Sequence, residues 1–423
     1  MDNVRNLVGS PLAGIDHQEM VDTRELCNAL NDLVSLDPIT NTRGNPYWGN
    51  LPRKFNIAIS GSRDDFSHTH INDLGLQPCP HATTGEMGFN VVLGGYMSIK
   101  RVAESIDANM WIPADRNSVV TFSEALLRIF RDESDRKDRQ KARLIWLVES
   151  YGVENFKKAV IDEVTKYNRG LKIESKQPLP LTWDESFQRR DLLGVHAQPQ
   201  EGKVRVGVLV PSGRLSSVEG RQIAGLADKY SHGEIRLTVE QNILLPNVDA
   251  AAVADLLSDP VFSDPKSRLK VNSGMIEGNM VSCTGSQFCG LGLIETKQTA
   301  EDIVKQLEKL VVVDRPIRIH FTGCPNSCGQ VQVADIGIMG GPAKKIMPDG
   351  KSMAVPGCKI FVGGKIGEDA HLAIDPIKDR IPMDDLIPEL VSILKSEFGA
   401  KDKVPVSKSR LRNAFKRIIN IFK

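Results

Sequence analysis

Across residues 54–57 polar and apolar positions alternate, with Lys54 and Asn56 on one face and Phe55 and Ile57 on the other, and Gly61 closes the run from Arg53. A period of two with one apolar face predicts a half-buried strand entering a glycine turn. The pattern returns at Arg315-Pro316-Ile317-Arg318-Ile319-His320-Phe321-Thr322-Gly323. Downstream of each glycine, at equal distance and without a gap, stands an Asp-apolar-Gly-apolar unit: Asp73-Leu74-Gly75-Leu76 and Asp335-Ile336-Gly337-Ile338. Two further strands, 90–95 and 359–364, and amphipathic helices near 121–131 and 385–397 extend the parallel. The pattern therefore predicts two homologous α/β units, 1–170 and 275–400, related by a pseudo-twofold axis.

Between them, after Pro178-Leu179-Pro180, the periodicity changes. A strand at 204–210, a helix at 218–230, one or two strands over 234–245 and a helix at 249–257 read as half of a ferredoxin-like layer, residues 171–274. The fold class expected is α+β. A repeat of half-module followed by unit predicts a further half-module ahead of residue 1, and with it a truncated or fragmentary chain. At the other end, 401–423 reads as a basic amphipathic tail, with Leu411, Phe415, Ile418, Ile419 and Phe422 on one helical stripe.

Charge narrows the function classes. With 54 basic and 53 acidic side chains the formal net charge is +1, so nothing draws the chain to nucleic acid in bulk, and any anion site is local. No apolar run reaches transmembrane length. No Gly-x-Gly-x-x-Gly follows a strand, so no nicotinamide domain is indicated.

Four of the seven cysteines lie in two close pairs, Cys283 with Cys289 and Cys324 with Cys328. Gly, Ser, Thr and Asn surround them, residues that let the backbone turn tightly and aim N–H donors at sulfur. One four-thiolate metal site is the natural reading, and it suggests a reducing compartment. Zinc and ordinary buried thiols compete with an iron–sulfur cluster. Five residues inside the first pair and three inside the second are wider than most zinc knuckles and suit a cubane better. Cys27, Cys79 and Cys358 read as incidental buried thiols, and the eight histidines show no ligand spacing.

Cys-Thr-Gly-Ser-Gln-Phe-Cys and Thr-Gly-Cys-Pro-Asn-Ser-Cys resemble the cluster motifs of the siroheme-dependent nitrite and sulfite reductases, more closely the ferredoxin-dependent nitrite reductases, and the resemblance runs from residue 1 to about 400. It implies that Cys283, Cys289, Cys324 and Cys328 hold a [4Fe-4S] cluster, with Cys328 also ligating siroheme iron. It implies that Arg5, Arg53, Lys54 and Asn56 face the cofactor, with Arg5, Lys54 and Asn56 at the substrate. Arg139, Gln140 and Arg143 would hold siroheme carboxylates. The competing reading makes Arg53 and Lys54 solvated charges at a strand start and 139–143 a charged helix surface. The activity implied is reduction of nitrite to ammonia with electrons from ferredoxin, by a monomer of the chloroplast stroma or a prokaryotic cytoplasm. The resemblance also implies that the half-module ahead of residue 1 helps to grip siroheme and substrate. Sulfite reduction is the alternative, which the uncharged Asn56 disfavours, since sulfite enzymes of the family carry lysine there. A catalytically incomplete iron–sulfur protein is the second.

Overall fold

Two five-stranded sheets of the same design carry the repeat. The computed structural model describes residues 2–167, 170–181, 183, 187 and 189–403. In the first unit β1 (Val4–Val8), β2 (Phe55–Ile59), β3 (Leu74–Pro80), β4 (Met87–Leu93) and β5 (Ile106–Pro113) lie side by side in that order. The first three are parallel and the last two antiparallel. Helices α1 (Arg24–Ser35), α2 (Arg116–Glu133), α3 (Leu144–Tyr151) and α4 (Val153–Lys166) belong to this unit. Its core joins Leu26 and Leu30 of α1, Phe55, Ile57 and Ile59 of β2, and Phe122, Leu126 and Phe130 of α2. The alternation read from sequence holds, for Phe55 and Ile57 are fully buried while Lys54 and Asn56 are half-buried on the other face.

A four-stranded antiparallel sheet follows, built from β6 (Gly194–Ala197), β7 (Lys203–Val208), β8 (Arg236–Leu237) and β9 (Ile243–Asp249) in the order β8-β9-β7-β6. Helices α5 (Ser217–Tyr230) and α6 (Val253–Ser258) accompany it. Ser216 caps α5 through a reciprocal bond pair with Glu219, the capping box that fixes where a helix starts. The helix expected at 249–257 begins later. Asp249 still pairs with Lys203 in the sheet, and a single 3-10 turn, Ala250–Ala252, precedes α6. Edge strand β8 exposes Leu237.

The second unit repeats the first with β10 (Met280–Ser282), β11 (Ile319–Thr322), β12 (Ile336–Ile346), β13 (Ser352–Val362) and β14 (Lys378–Pro382), again three parallel strands and then two antiparallel. Helices α7 (Lys297–Leu310) and α8 (Leu386–Phe398) cover it. The registers match residue for residue: Ile57 opposes Leu74 in one copy, and Ile319 opposes Ile336 in the other. The shared aspartates do the same work, since Asp73 accepts the backbone N–H of Asn56 at 2.9 Å and Asp335 that of Arg318 at 2.9 Å. The shared glycines are explained as well. A Cβ on Gly75 would stand 2.5 Å from the Thr69 carbonyl oxygen, and one on Gly337 2.2 Å from that of Val331. The offset that carries Gly61 onto Gly323 also carries His68 onto Gln330, and these two residues touch each other at 3.0 Å, as equivalent residues do where a twofold axis passes between them. Among the described residues no helix is long and apolar enough to cross a membrane. The tail helix expected over 401–423 lies outside the described residues beyond Lys403.

Candidate functional site

Both cysteine pairs sit at one end of the second sheet. Cys283 directly follows β10, Cys324 follows β11 by one residue, and these strands are parallel neighbours. Two loops leaving adjacent parallel strands at their carboxyl ends must emerge together. Backbone bonds tie them: Cys283 N–H donates to the Phe321 carbonyl at 3.0 Å, and Leu293 N–H to that of Gly323 at 2.7 Å. Gly323 N–H donates to Cys283 Sγ at 3.1 Å. The Asn326 amide approaches Cys324 Sγ at 3.6 Å. Gly285 turns the first loop with φ +71, where a Cβ would strike Thr296 Oγ1 at 2.5 Å.

Cys328 is open to solvent on one side. Its thiol is pushed up by the protein packed against its other side, then by the Cys283, Cys324 and Cys289 sulfurs, while Lys54 pulls it down. All four thiols are therefore electrostatic neighbours, and Lys54 of the first unit acts on Cys328. Among the described residues no three His, Cys, Asp or Glu side chains close on a single metal ion.

Across from the thiols the first unit presents a cluster of cations. Arg5, Arg139 and Arg53 converge on the Asp2 carboxylate at 2.5, 2.7 and 3.4 Å. Arg143 grips the buried Asp73 with two nitrogens at 3.0 and 2.7 Å and lies 4.6 Å above the Tyr96 ring. Lys54 stands between these groups. Burial, then Arg143 and Arg53, hold its ammonium below the ordinary lysine range. Asp2 is held below the usual carboxylate range although burial works the other way, because Arg5 and Arg139 outweigh it. Five cations share two carboxylates here. Such an excess, with Arg5 and Arg139 more than half exposed, suits a ligand bearing several carboxylates. Next to Cys289 the first cysteine loop exposes Phe288, Leu291 and Leu293, an apolar rim fit for the flat face of a macrocycle. The donor set, the cations and the rim together fit an iron–sulfur cluster beside an anionic tetrapyrrole.

The structure thus gathers Arg5, Arg53 and Arg139 on Asp2 and Arg143 on Asp73, with Lys54 under the electrostatic influence of the same arginines. Asn56 shares the Lys54 face of β2, its own N–H held by Asp73. Gln140 is exposed. Residues 139–143 form no helix surface: Arg139 and Gln140 lie in the loop after α2, and Arg143 is the residue that caps α3. His320 is structural. Its Nδ1 meets the Gly329 and Gln330 carbonyls at 2.9 and 3.1 Å, and burial, then Arg318 and His68, push it down to about 3. Sequence reasoning passed over Asp2, the hub of the arginines, because an aspartate three residues before Arg5 reads as a local surface pair. It also passed over His68 and Gln330, which the repeat offset could have exposed.

Family models extend these observations. The nitrite and sulphite reductase 4Fe-4S domain matches residues 1–167 and 276–418, and the nitrite/sulfite reductase ferredoxin-like half domain matches 196–261. The match continues to 418, so the likeness does not stop near 400. Over 400 residues, 95% of the chain, it is 46% identical to the chloroplastic ferredoxin–nitrite reductase of Zea mays, covering 67% of it, and 44% identical to that of Spinacia oleracea, covering 64%. The solved NirA protein of Mycobacterium tuberculosis superposes with a TM-score of 0.77 at 28% identity, over 93% of this chain and 67% of that one. The chain spans about two thirds of the length of its curated relatives. With the cysteine loops, the doubled sheet and the half-module between its copies all accounted for, the chain belongs to the nitrite and sulphite reductase family.

Proposed function

We propose that this chain forms the catalytic body of a ferredoxin-dependent nitrite reductase, with siroheme and a [4Fe-4S] cluster as its cofactors. In this reading residues 1–170 and 275–400 are the two units and 171–274 the half-module. The observation that carries it is the parallel pairing of β10 with β11, which brings the cysteine loops 283–289 and 324–328 out together, tied by the Gly323 N–H on Cys283 Sγ. Cys283, Cys289, Cys324 and Cys328 would hold the cluster, and Cys328 would face the siroheme iron. Arg5, Arg53, Arg139 and Arg143 would meet the macrocycle's carboxylates, with Gln140 at the edge. Siroheme bound there supplies an iron that holds nitrite and receives single electrons from the cluster.

The remaining work falls to this chain's own groups. Arg5 and Lys54 neutralise the bound anion in a partly enclosed site, where charge is worth more than in water. Arginine keeps its protons at every working pH. Lys54 is the proton donor, because burial and its cationic neighbours already disfavour its ammonium. Asn56 offers an uncharged amide on the same strand face, which suits a monovalent anion.

The likeness to ferredoxin–nitrite reductases supports reduced ferredoxin as the donor, and the chloroplastic names of those relatives support the stroma; a prokaryotic source would put the same enzyme in the cytoplasm. The test is the absorption spectrum of the purified chain, followed by ammonia formation from nitrite with reduced ferredoxin. Siroheme and cluster bands are the expected result, with ammonia formed when the remainder of the relatives' length, which this chain does not span, is supplied as well. A protein that stays colourless and iron-free in cells that make siroheme, with that remainder also supplied, would end the reading.

A further inference from the structure

Loop 323–330 carries more backbone strain than its length suggests. Ser327 and Gln330, which flank the Cys328-Gly329 pair, both have left-handed φ, 52 and 56. Non-glycine residues there cost about 1–3 kcal/mol each and persist only where the surroundings hold them. Several bonds do so. Ser327 Oγ donates to Gln332 Oε1 at 2.5 Å. The buried His320 ring reaches the Gly329 and Gln330 carbonyls.

The Gln330 side chain is held from outside its own unit. Its Oε1 lies 3.0 Å from Nδ1 of His68, a first-unit residue only 1% exposed. The other ring nitrogen of His68 faces Oε1 of Glu240 at 3.5 Å, in the turn between β8 and β9 of the half-module. Arg189, from the connecting segment, pairs with that same carboxylate and donates from Nε to the Asp64 carbonyl at 3.1 Å. Burial alone would raise the Glu240 carboxyl, and Arg189 and His68 outweigh it, so it stays well below the usual carboxylate range. The half-module, the first unit and the second unit therefore meet in one chain of polar contacts that ends two residues from Cys328. None of these groups touches the cation cluster or the thiols.

We propose that His68 is a positioning residue for Cys328: through Gln330 it holds the strained loop, and with it the Cys328 thiol, in fixed relation to the first unit's Lys54. The role in turnover rests on the function proposed above, while the loop-holding itself does not. Supporting groups one layer out from a metal site commonly matter by about 10–100-fold.

The test uses the full chain and the variants Gln330→Ala and Gln330→Glu, the second keeping an oxygen acceptor towards His68. Amide hydrogen exchange comes first, because it needs no cofactor. Gln330→Ala is expected to speed exchange across 324–333 and leave α2 and α8 unchanged, and Gln330→Glu to restore most of the protection. With cofactors bound, Gln330→Ala is expected to keep its iron content and its nitrite KM within about twofold, shift the visible absorption bands and lower kcat about tenfold. Unchanged exchange in Gln330→Ala overturns the proposal whether or not the protein is coloured. So does a glutamate variant as loose as the alanine one. A colourless wild type with the exchange effect intact would instead count against the nitrite reductase reading alone.

Discussion

Asp73 shows how much one side chain settles in this fold. Fully buried, it accepts Arg143 through two bonds and the Asn56 backbone N–H through a third. One carboxylate thereby fixes both the start of β2 and a cation of the cluster. Removing one partner of a buried ion pair leaves the other charge without compensation. Asp73→Asn is expected to cost about 3–5 kcal/mol, read as a lower urea midpoint, and to reduce siroheme content in parallel. In the function proposed above Asn56 bears on something different, because its amide adds no charge to the Lys54 face. Asn56→Lys is expected to shift the nitrite-to-sulfite ratio of kcat/KM towards sulfite by about tenfold, a difference of about 1.4 kcal/mol. Assay of both substrates on one preparation gives the ratio, and an unchanged value removes Asn56 from substrate choice.

At the scale of elements, the paired glycines explain why the repeat is legible at all. Gly75 and Gly337 sit where a strand passes under the 3-10 turn that precedes it, each facing a backbone oxygen that cannot rotate away. Alanine at either position is expected to cost about 1–3 kcal/mol, as overpacking in a rigid spot does, and scanning calorimetry of both variants would show two losses of similar size. The Asp-apolar-Gly-apolar unit is thus a packing signature, and it was readable because the constraint recurs. Strand β2 and helices α2, α5 and α8 were equally readable, since the helices keep an apolar stripe and β2 alternates from Phe55 to Ile57 before Ala58 and Ile59 are both buried. The cation cluster was readable only as a set of residues. Arg53 and Arg139 reach Asp2 from 51 and 137 positions away, and no local pattern records such a contact. The break at Asp249 was missed for a related reason: Ala250, Ala251 and Ala252 read as helix, but pairing with β7 holds the preceding residue in the sheet.

At the scale of the whole molecule, polar junctions buried between the parts make its stability depend on acid in two steps. His320 is neutral in the folded chain, with its ring held down to about 3 from an ordinary 6.5 by burial, Arg318 and His68. The unfolded chain therefore takes up a proton that the folded one refuses, and stability falls as pH drops from about 6.5 towards 3. The second step belongs to the connecting segment. Arg190 joins it to the first unit by gripping Asp16 with two bonds of 2.7 Å while also bonding Asp64, both carboxylates almost fully buried. Burial raises the Asp16 carboxyl, but Arg190 more than reverses this, so its folded value lies below the ordinary 3.8. Its contribution is therefore complete above about pH 4 and disappears as pH falls through that lowered value. Arg190→Ala leaves two buried carboxylates without their cation and is expected to cost about 3–5 kcal/mol at neutral pH. Urea midpoints measured from pH 7 to pH 3 would separate the two steps. His320→Gln, which keeps a donor towards the Gly329 carbonyl, should flatten the slope between pH 6.5 and 4 and leave the steeper loss below 4 in place. Arg190→Ala should do the opposite, keeping the upper slope and weakening the lower one, because carboxylates already destabilised at neutral pH lose less when they are protonated. If the two variants changed the same part of the profile, the histidine buried in the second unit and the ion pair of the first would have to act as one coupled group.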